Sequence, residues 1–448
     1  MAVGLAAMNM HSKVPPPFRP IQYLGNKTRL LDDIAAAVAS VVGPEAPVAD
    51  LFSGTGVVGR RLAARNPIIA VDVQAYSEVI GRAMLQTSRT DLDGFDLDAF
   101  LARADEVEAA LTCMFAPLIK EEERALASLH RGNPLPISML IERGSALSAE
   151  LDSAEYLRFR SVLGKLLTGK PAENDPVATL AFGGVYFSFK QSIRLDSLHC
   201  AAASEHSPRR DLLIATMLGV ASELVNTVGK QFAQPMRILD RQGVPKPMLM
   251  ERTLRDRRLD GRQLFIEMFD RWRSTLPTEV RPSRMMRQDV ETFLEADGDW
   301  QAAYADPPYT IDHYSRFYHV LETLVRRDRP TFARMRKNGV PTVMRGLYRD
   351  DRFQSDYCVP SRAPAAFERL VKGVARRGAP LVLSYSGHVD SAQRARTVPL
   401  ETLIAIAQSS FRSVEVTEPH FEGHRKLNAS NRNVTTERQS ERLIICRS

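Results

Sequence analysis

Cysteine is scarce and scattered: Cys113, Cys200, Cys358 and Cys446 are the four present in 448 residues, and no two form a CxxC pair. That spacing excludes a disulfide framework or a zinc cluster and points to a reducing, intracellular setting. Long hydrophobic runs are missing as well. No stretch approaches the roughly 20 apolar residues needed to span a bilayer. The opening residues run into Pro15-Pro16-Pro17, so 1–18 reads as a disordered tail, with no signal peptide. No membrane partner is expected, a cytoplasmic location is, and the sequons at Asn428 and Asn433 should stay unmodified. His420 and His424 stand four apart, but Pro419 and Gly423 break any helix that would align them, so no metal site is expected. Internal repeats and long low-complexity tracts are also lacking.

What is present is an ordinary globular composition, 44% hydrophobic and 25% charged, with ample material for a core. The length suits one core carrying a large insertion, or two domains. A net charge of +7 suits a polyanionic partner without requiring one.

The chain opens with Tyr23-Leu24-Gly25-Asn26-Lys27, then Leu30, Leu31, Ile34, Val38 and Val41 on one helical face, closed by Gly43-Pro44. An apolar run from Val48 to Phe52, a glycine turn, a helix through Leu62 and a strand from Ile68 to Val71 begin a parallel α/β sheet. From about 91 to 180 the pattern is helical, with solvated faces such as Lys120-Glu121-Glu122-Glu123-Arg124. That stretch is expected to act as scaffolding. An aromatic segment (Tyr186, Phe187, Phe189) leads to a helix from Asp211 to Val228, apolar on nearly every side and so buried, with Gly229 placed to end it. Arginines are dense from Arg252 to Arg287. After Trp300 the α/β rhythm resumes, with strands at 300–305 and 381–385, a helix at 319–325, and closing strands at 414–416 and 443–446. The predicted organisation is a core in two parts, 19–90 and 288–448, interrupted by a helical and basic insertion over 91–287.

Two motifs carry chemistry. Gly54-Thr55-Gly56-Val57-Val58-Gly59 is a GxGxxG between strand and helix, where glycines let backbone N–H groups approach a nucleotide. Asp72 ends the next strand at about the 20-residue spacing of a carboxylate that accepts from ribose hydroxyls. This motif alone does not choose between a dinucleotide and S-adenosylmethionine. Asp306-Pro307-Pro308-Tyr309 decides. It follows a strand in the second half of the core, at the edge where open α/β sheets bind ligands. Two prolines fix the backbone and leave carbonyls as rigid acceptors. An aromatic amine is a poor nucleophile because its lone pair is delocalised into the ring. Two acceptors on its hydrogens, the Asp306 carboxylate and the Pro307 carbonyl, favour a pyramidal nitrogen and gain strength as positive charge develops. Tyr309 offers a face on which a base turned out of a duplex can stack.

With these residues the chain resembles the Dam-like adenine-N6 DNA methyltransferases, the α group in motif order. Tyr23 to Lys27 with Leu30-Leu31 is similar to the family's first motif, Asp50-Leu51-Phe52-Ser53-Gly54-Thr55-Gly56 to its cofactor loop, and Asp306 to Tyr309 to its catalytic motif. Tyr186-Phe187-Ser188 and Leu195-Asp196-Ser197-Leu198 look like intervening family segments. The resemblance implies a Rossmann-like S-adenosylmethionine-dependent methyltransferase core, mostly parallel with an antiparallel last strand, and a largely helical target-recognition insertion. It implies that Tyr23 and Lys27 contact the methionine end of S-adenosylmethionine. Asp50 belongs to the matching loop, Phe52 and the Gly54 and Gly56 backbone line the pocket, and Asp72 holds the ribose. Asp289 would accept from the adenine amine of the cofactor, although Val290 stands where the family often has an aromatic. Asn26 stands where a second glycine is common, and Asn also reaches unusual backbone angles.

Double-stranded DNA is the implied partner, and a cognate restriction or defence nuclease would fit such an enzyme. Lys190, Gln191 and Arg194, then Lys230, Gln231, Gln234 and Arg237, occupy the recognition slot between the two motifs. The arginines from Arg252 to Arg287 suggest a phosphate stripe. The segment His424–Arg442, with Arg425 and Lys426, suggests a second backbone contact. Alternatives are methylation of RNA adenine or of the cytosine amine in DNA, and a nicotinamide-dependent oxidoreductase, which would leave Asp306-Pro307-Pro308-Tyr309 without a task.

Overall fold

A computed structural model describes residues 19–25, 27–148, 153–168, 170, 172, 174–337, 339–386, 396–418 and 441–448. The expected tail over 1–18, Asn26, the two histidines His420 and His424, and the basic residues Arg425 and Lys426 lie outside the described residues.

Seven strands form one sheet: β1 (Val48–Leu51), β2 (Ile68–Asp72), β3 (Arg284–Arg287), β4 (Ala302–Ala305), then, past a separate hairpin of β5 (Arg334–Lys337) and β6 (Val340–Val343), β7 (Leu381–Ser386), β8 (Ser413–Thr417) and β9 (Glu441–Arg447). The order is β3-β2-β1-β4-β7-β9-β8. Strands β3 to β7 in that order run parallel, and β9 is antiparallel to both of its neighbours. The fold is thus the expected mostly parallel α/β sheet with an antiparallel last strand. The central strands are buried on both faces, and alternate residues feed two separate apolar clusters. Val48, Ala70, Tyr304 and Val382 point to one; Ala49, Val71, Ala303 and Leu383 point to the other.

The order of the sheet reverses beside β1. β1 runs into the glycine turn and β4 into Asp306, and the two pair directly, Leu51 opposite Ala305. Both loops therefore leave the same sheet edge side by side, as they do at the ligand crevice of open α/β sheets.

Two boundaries differ from the sequence pattern. β3, at the end of the stretch assigned to the insertion, pairs with β2 as an edge strand of the core, Met285 opposite Ala70. Its Arg-Met-Met-Arg sequence shows little apolar alternation because only one side of an edge strand is paired. The helix expected over Asp211–Val228 spans Arg209–Leu224. Val225 turns out of the helix, the Asn226 amide donates to the Tyr186 carbonyl at 2.9 Å, and Val228 is exposed. Tertiary hydrogen bonds, not Gly229, end this helix. Its all-round apolar surface has a plain cause: it packs between the core helix Ala75–Gln86 and two insertion helices, Phe189–Ala203 and Gly261–Thr275. No helix among the described residues is long and apolar enough to cross a membrane.

Candidate active site

The glycine turn begins with a backbone constraint. Phe52 has φ 63°, a left-handed conformation that costs a bulky residue energy, and its ring packs edge-on against Tyr357 with centroids 5.1 Å apart. Gly54 follows with φ 57°, and a Cβ there would stand 3.0 Å from the Tyr23 hydroxyl oxygen. Its amide donates to Asp72 Oδ2 at 2.9 Å, while the Gln74 amide donates to Oδ1 at 2.9 Å. Asp72 is thus held at the end of β2 by backbone, with its carboxylate lining the cavity. Burial raises its pKa to about 6, opposed by the Gln74 and Gly54 amides.

The cavity has a volume of about 290 Å³, at the small end for a ligand pocket. Tyr23, Lys27, Asp50, Phe52 and Gly54 line it from the first part of the core. Asp289, Asp306, Pro307, Pro308 and Tyr309 line it from the second. Gly56 does not. With φ 70° it caps the helix Val57–Leu62, and a Cβ there would press on Gly81 and Met84 at 3.4 Å, so its part is helix packing. Asp289 accepts from the Glu291 amide at 2.8 Å and so caps the short helix Val290–Glu295 while facing the cavity.

Asp50 is almost fully buried, and its Oδ2 has no hydrogen-bond partner among the described residues. A Cβ at Gly59 would come within 2.9 Å of that oxygen, so the third glycine of the motif makes room for the carboxylate. Burial, and then the nearby Asp306, push the Asp50 pKa up to about 7.

Lys27 and Asp306 are drawn together across the two parts of the core. Lys27 Nζ lies 2.9 Å from Asp306 Oδ1 and 3.1 Å from Glu441 Oε1, and 5.7 Å from the centre of the Tyr309 ring. Burial raises the Asp306 pKa to about 6, Lys27 works against that and Glu441 with it. Tyr309 is also covered by Arg396, 4.8 Å from the ring centre, and packs on Tyr385 at 5.2 Å.

The basic and amide residues expected on DNA are placed unevenly. Lys190 is exposed and paired with Glu123 at 2.8 Å. Gln191 is buried: it closes the capping box with Ser188 and donates to the carbonyls of Asp256 and Leu259. A side chain spent in this way has no edge left for a base, which corrects the expectation for Gln191. Arg194 is held by Asp105 at 2.7 Å and by Glu108. Lys230 donates to the carbonyls of Glu223 and Val225 at 2.6 and 3.2 Å. Gln231 is half-buried. The arginine stripe is divided too, since Arg257 is buried against Glu122 while Arg255 is exposed. Glu441 was missed by the sequence pattern, as were the exposed Arg334 and Arg336 of the β5–β6 hairpin. No motif includes Glu441; the hairpin gives only a weak Asn-Gly turn signal.

A family model described as D12 class N6 adenine-specific DNA methyltransferase matches residues 23–107. That segment holds the first motif and the glycine turn. Over 433 residues, 95% of its length, it is 23% identical to the modification methylase LlaI of Lactococcus lactis subsp. lactis. The chain spans about half the length of that relative, 54%.

Proposed function

We propose that this chain is a site-specific DNA methyltransferase that moves the methyl group of S-adenosylmethionine to the exocyclic N6 of an adenine turned out of the duplex. The observation that carries this reading is the meeting of Asp306-Pro307-Pro308-Tyr309 and the Gly54 turn on one cavity, where Lys27 pairs with Asp306.

The residues fit the cofactor. Asp50 offers a buried oxygen without a partner, Asp72 and Asp289 place carboxylates on the cavity, and Tyr23, Phe52 and Tyr309 supply aromatic walls. An acidic, aromatic-walled pocket suits a cationic sulfonium. Asp72 would take the ribose hydroxyls, Asp289 the adenine amine, and Tyr23 with Lys27 the methionine end. The bound cofactor supplies an electrophilic methyl group. The chain's own task is to make the target amine a nucleophile. Asp306 and the Pro307 carbonyl accept the two N–H hydrogens, so the nitrogen lone pair is free to form the new N–C bond. As positive charge grows on the nitrogen, these fixed acceptors strengthen, and one proton leaves toward Asp306. Tyr309, clamped by Tyr385 and Arg396, provides the stacking face.

The part of the insertion that follows the 91–180 scaffold would carry target recognition, with Lys190, Lys230 and Gln231 the remaining described candidates for backbone contact. A cytoplasmic location and a cognate nuclease are consistent with such an enzyme. The deciding experiment incubates the protein with duplex DNA and labelled S-adenosylmethionine, then digests the DNA to nucleosides. Label in N6-methyladenosine is expected. Label in N4-methylcytosine, or in RNA alone, would overturn the choice of acceptor.

A further inference from the structure

Glu441 opens β9 opposite Ser386, and its side chain is buried at 3% exposure. Ser384 Oγ donates to its Oε1 at 2.9 Å, and Lys27 reaches the same oxygen at 3.1 Å. One ammonium therefore stands between two carboxylates, Glu441 and Asp306, in a site with little water. Among the described residues no donor reaches Oδ2 of Asp306, while Oδ1 is taken by Lys27.

We propose that Glu441 is a positioning residue for Asp306: by sharing Lys27, it confines the ammonium to one Asp306 oxygen and leaves the other for the target amine. A lysine carries three donors and no acceptor. With Glu441 gone, only the long contact to the Gly25 carbonyl, at 3.5 Å, still draws a donor away from Asp306, and both of its oxygens come within reach of the other two. Asp306 would then be a weaker acceptor and a weaker base at the moment the amine releases its proton. The inference rests on the reading of Asp306 as the amine's acceptor.

Among the described residues, the other groups around Asp306 do not compete for this role. Tyr304, on β4, and Tyr314 are phenols that burial keeps neutral. Tyr309 is raised likewise. Arg396 sits over the far side of the Tyr309 ring. Asp50, the remaining carboxylate nearby, has no ion pair with Lys27. Lys27 and Glu441 are thus the charged pair in contact that can tune Asp306.

The test is Glu441→Gln, which keeps the size and removes the charge. Expected is a downward move of about one pH unit in the acid limb of single-turnover methyl transfer, with a rate above the limb lowered severalfold. The same move is expected in protein alone, in the infrared titration of the Asp306 carboxyl band, assigned by difference against Asp306→Asn. Glu441→Asp, which keeps the charge, should restore the limb. A lowered rate with limb and band unmoved is what a purely structural Glu441 would give, and it overturns the proposal. Should Glu441→Gln not fold, the reciprocal experiment serves, because coupling between two sites acts both ways. In Asp306→Asn the Glu441 band should titrate at lower pH, and an unmoved band overturns the proposal. If wild-type protein methylates no DNA while the bands shift as expected, the reaction assigned to Asp306 fails and its coupling to Glu441 stands.

Discussion

Two buried ion pairs in this protein look alike in charge and differ in completeness. In the insertion, Asp196 accepts from the Ala178 amide at 3.0 Å, the Thr179 amide at 2.8 Å, the Thr179 hydroxyl at 2.7 Å and Arg327 at 2.7 Å. It joins the helix Phe189–Ala203 to the end of the core helix Tyr314–Arg326, and its carboxylate is fully occupied. At the cavity, Asp306 meets Lys27 through one oxygen, and Asp50 keeps an oxygen with no partner. Burying an unsatisfied carboxylate costs stability unless something else requires it. The satisfied pair docks the insertion on the core. The unsatisfied carboxylates are poised for a ligand.

The sharpest way to break this contrast is to remove one carboxylate from each region. Asp306→Ala is expected to lower methyl transfer to duplex DNA by about 10³-fold or more, while cofactor binding by equilibrium titration and the urea midpoint stay close to wild type. Asp196→Ala should do the reverse, costing about 3–5 kcal/mol of stability in urea unfolding, because the buried Arg327 guanidinium loses its carboxylate and the Ala178 and Thr179 amides lose their acceptor. If Asp306→Ala unfolded the protein and Asp196→Ala did not, the two assignments would have to be exchanged.

Asp50 sharpens the comparison through pH. Its folded pKa is raised to about 7, from the ordinary 3.8 of an aspartate, so the folded state holds a proton that the unfolded chain has released. The contribution to stability is then fully present below about pH 4 and is lost as pH rises through about 7. Asp50→Asn should therefore be more stable than wild type at pH 8, by on the order of 4 kcal/mol. The gap should narrow as pH falls through about 7 and close below about pH 4, as read by thermal or urea unfolding without cofactor. A gap independent of pH would mean that the carboxylate is charged and satisfied.

The smallest effect is expected on the surface. Lys190 and Glu123 are both exposed, so Lys190→Ala should change stability by less than about 1 kcal/mol. If Lys190 contacts a phosphate, that variant weakens DNA binding evenly across sequences and lowers the salt slope by about one. An unchanged slope in fluorescence anisotropy would return Lys190 to the scaffold.

The parallel core was legible because its strands, glycine turn and acid-proline loop each follow local rules that survive into three dimensions. The antiparallel last strand came from the family resemblance. Leu51 beside Ala305 could be inferred from the rule that ligands bind where strand order reverses. The DNA-facing residues were not legible, since Gln191 and Lys190 are adjacent in sequence while one is buried and the other exposed. A helix turns about 100° per residue, and only packing decides which side of it is covered. Glu441 escaped for a different reason. Its partner Lys27 is more than 400 residues away, and no short motif can record such a contact. The early end of the helix at Leu224 has the same origin, in the hydrogen bond from Asn226 to Tyr186.

The place of β9 in the sheet has a consequence in time. Among the described residues β8 bonds to no strand except β9, and β9 fills the gap between β8 and β7. During synthesis on a ribosome, residues 1–440 would emerge with that gap open, β8 unattached, and Lys27 facing Asp306 without its second carboxylate. The arrival of β9 both closes the sheet and delivers Glu441 to the cavity. A nascent chain therefore acquires its full set of site charges only when its sheet is complete.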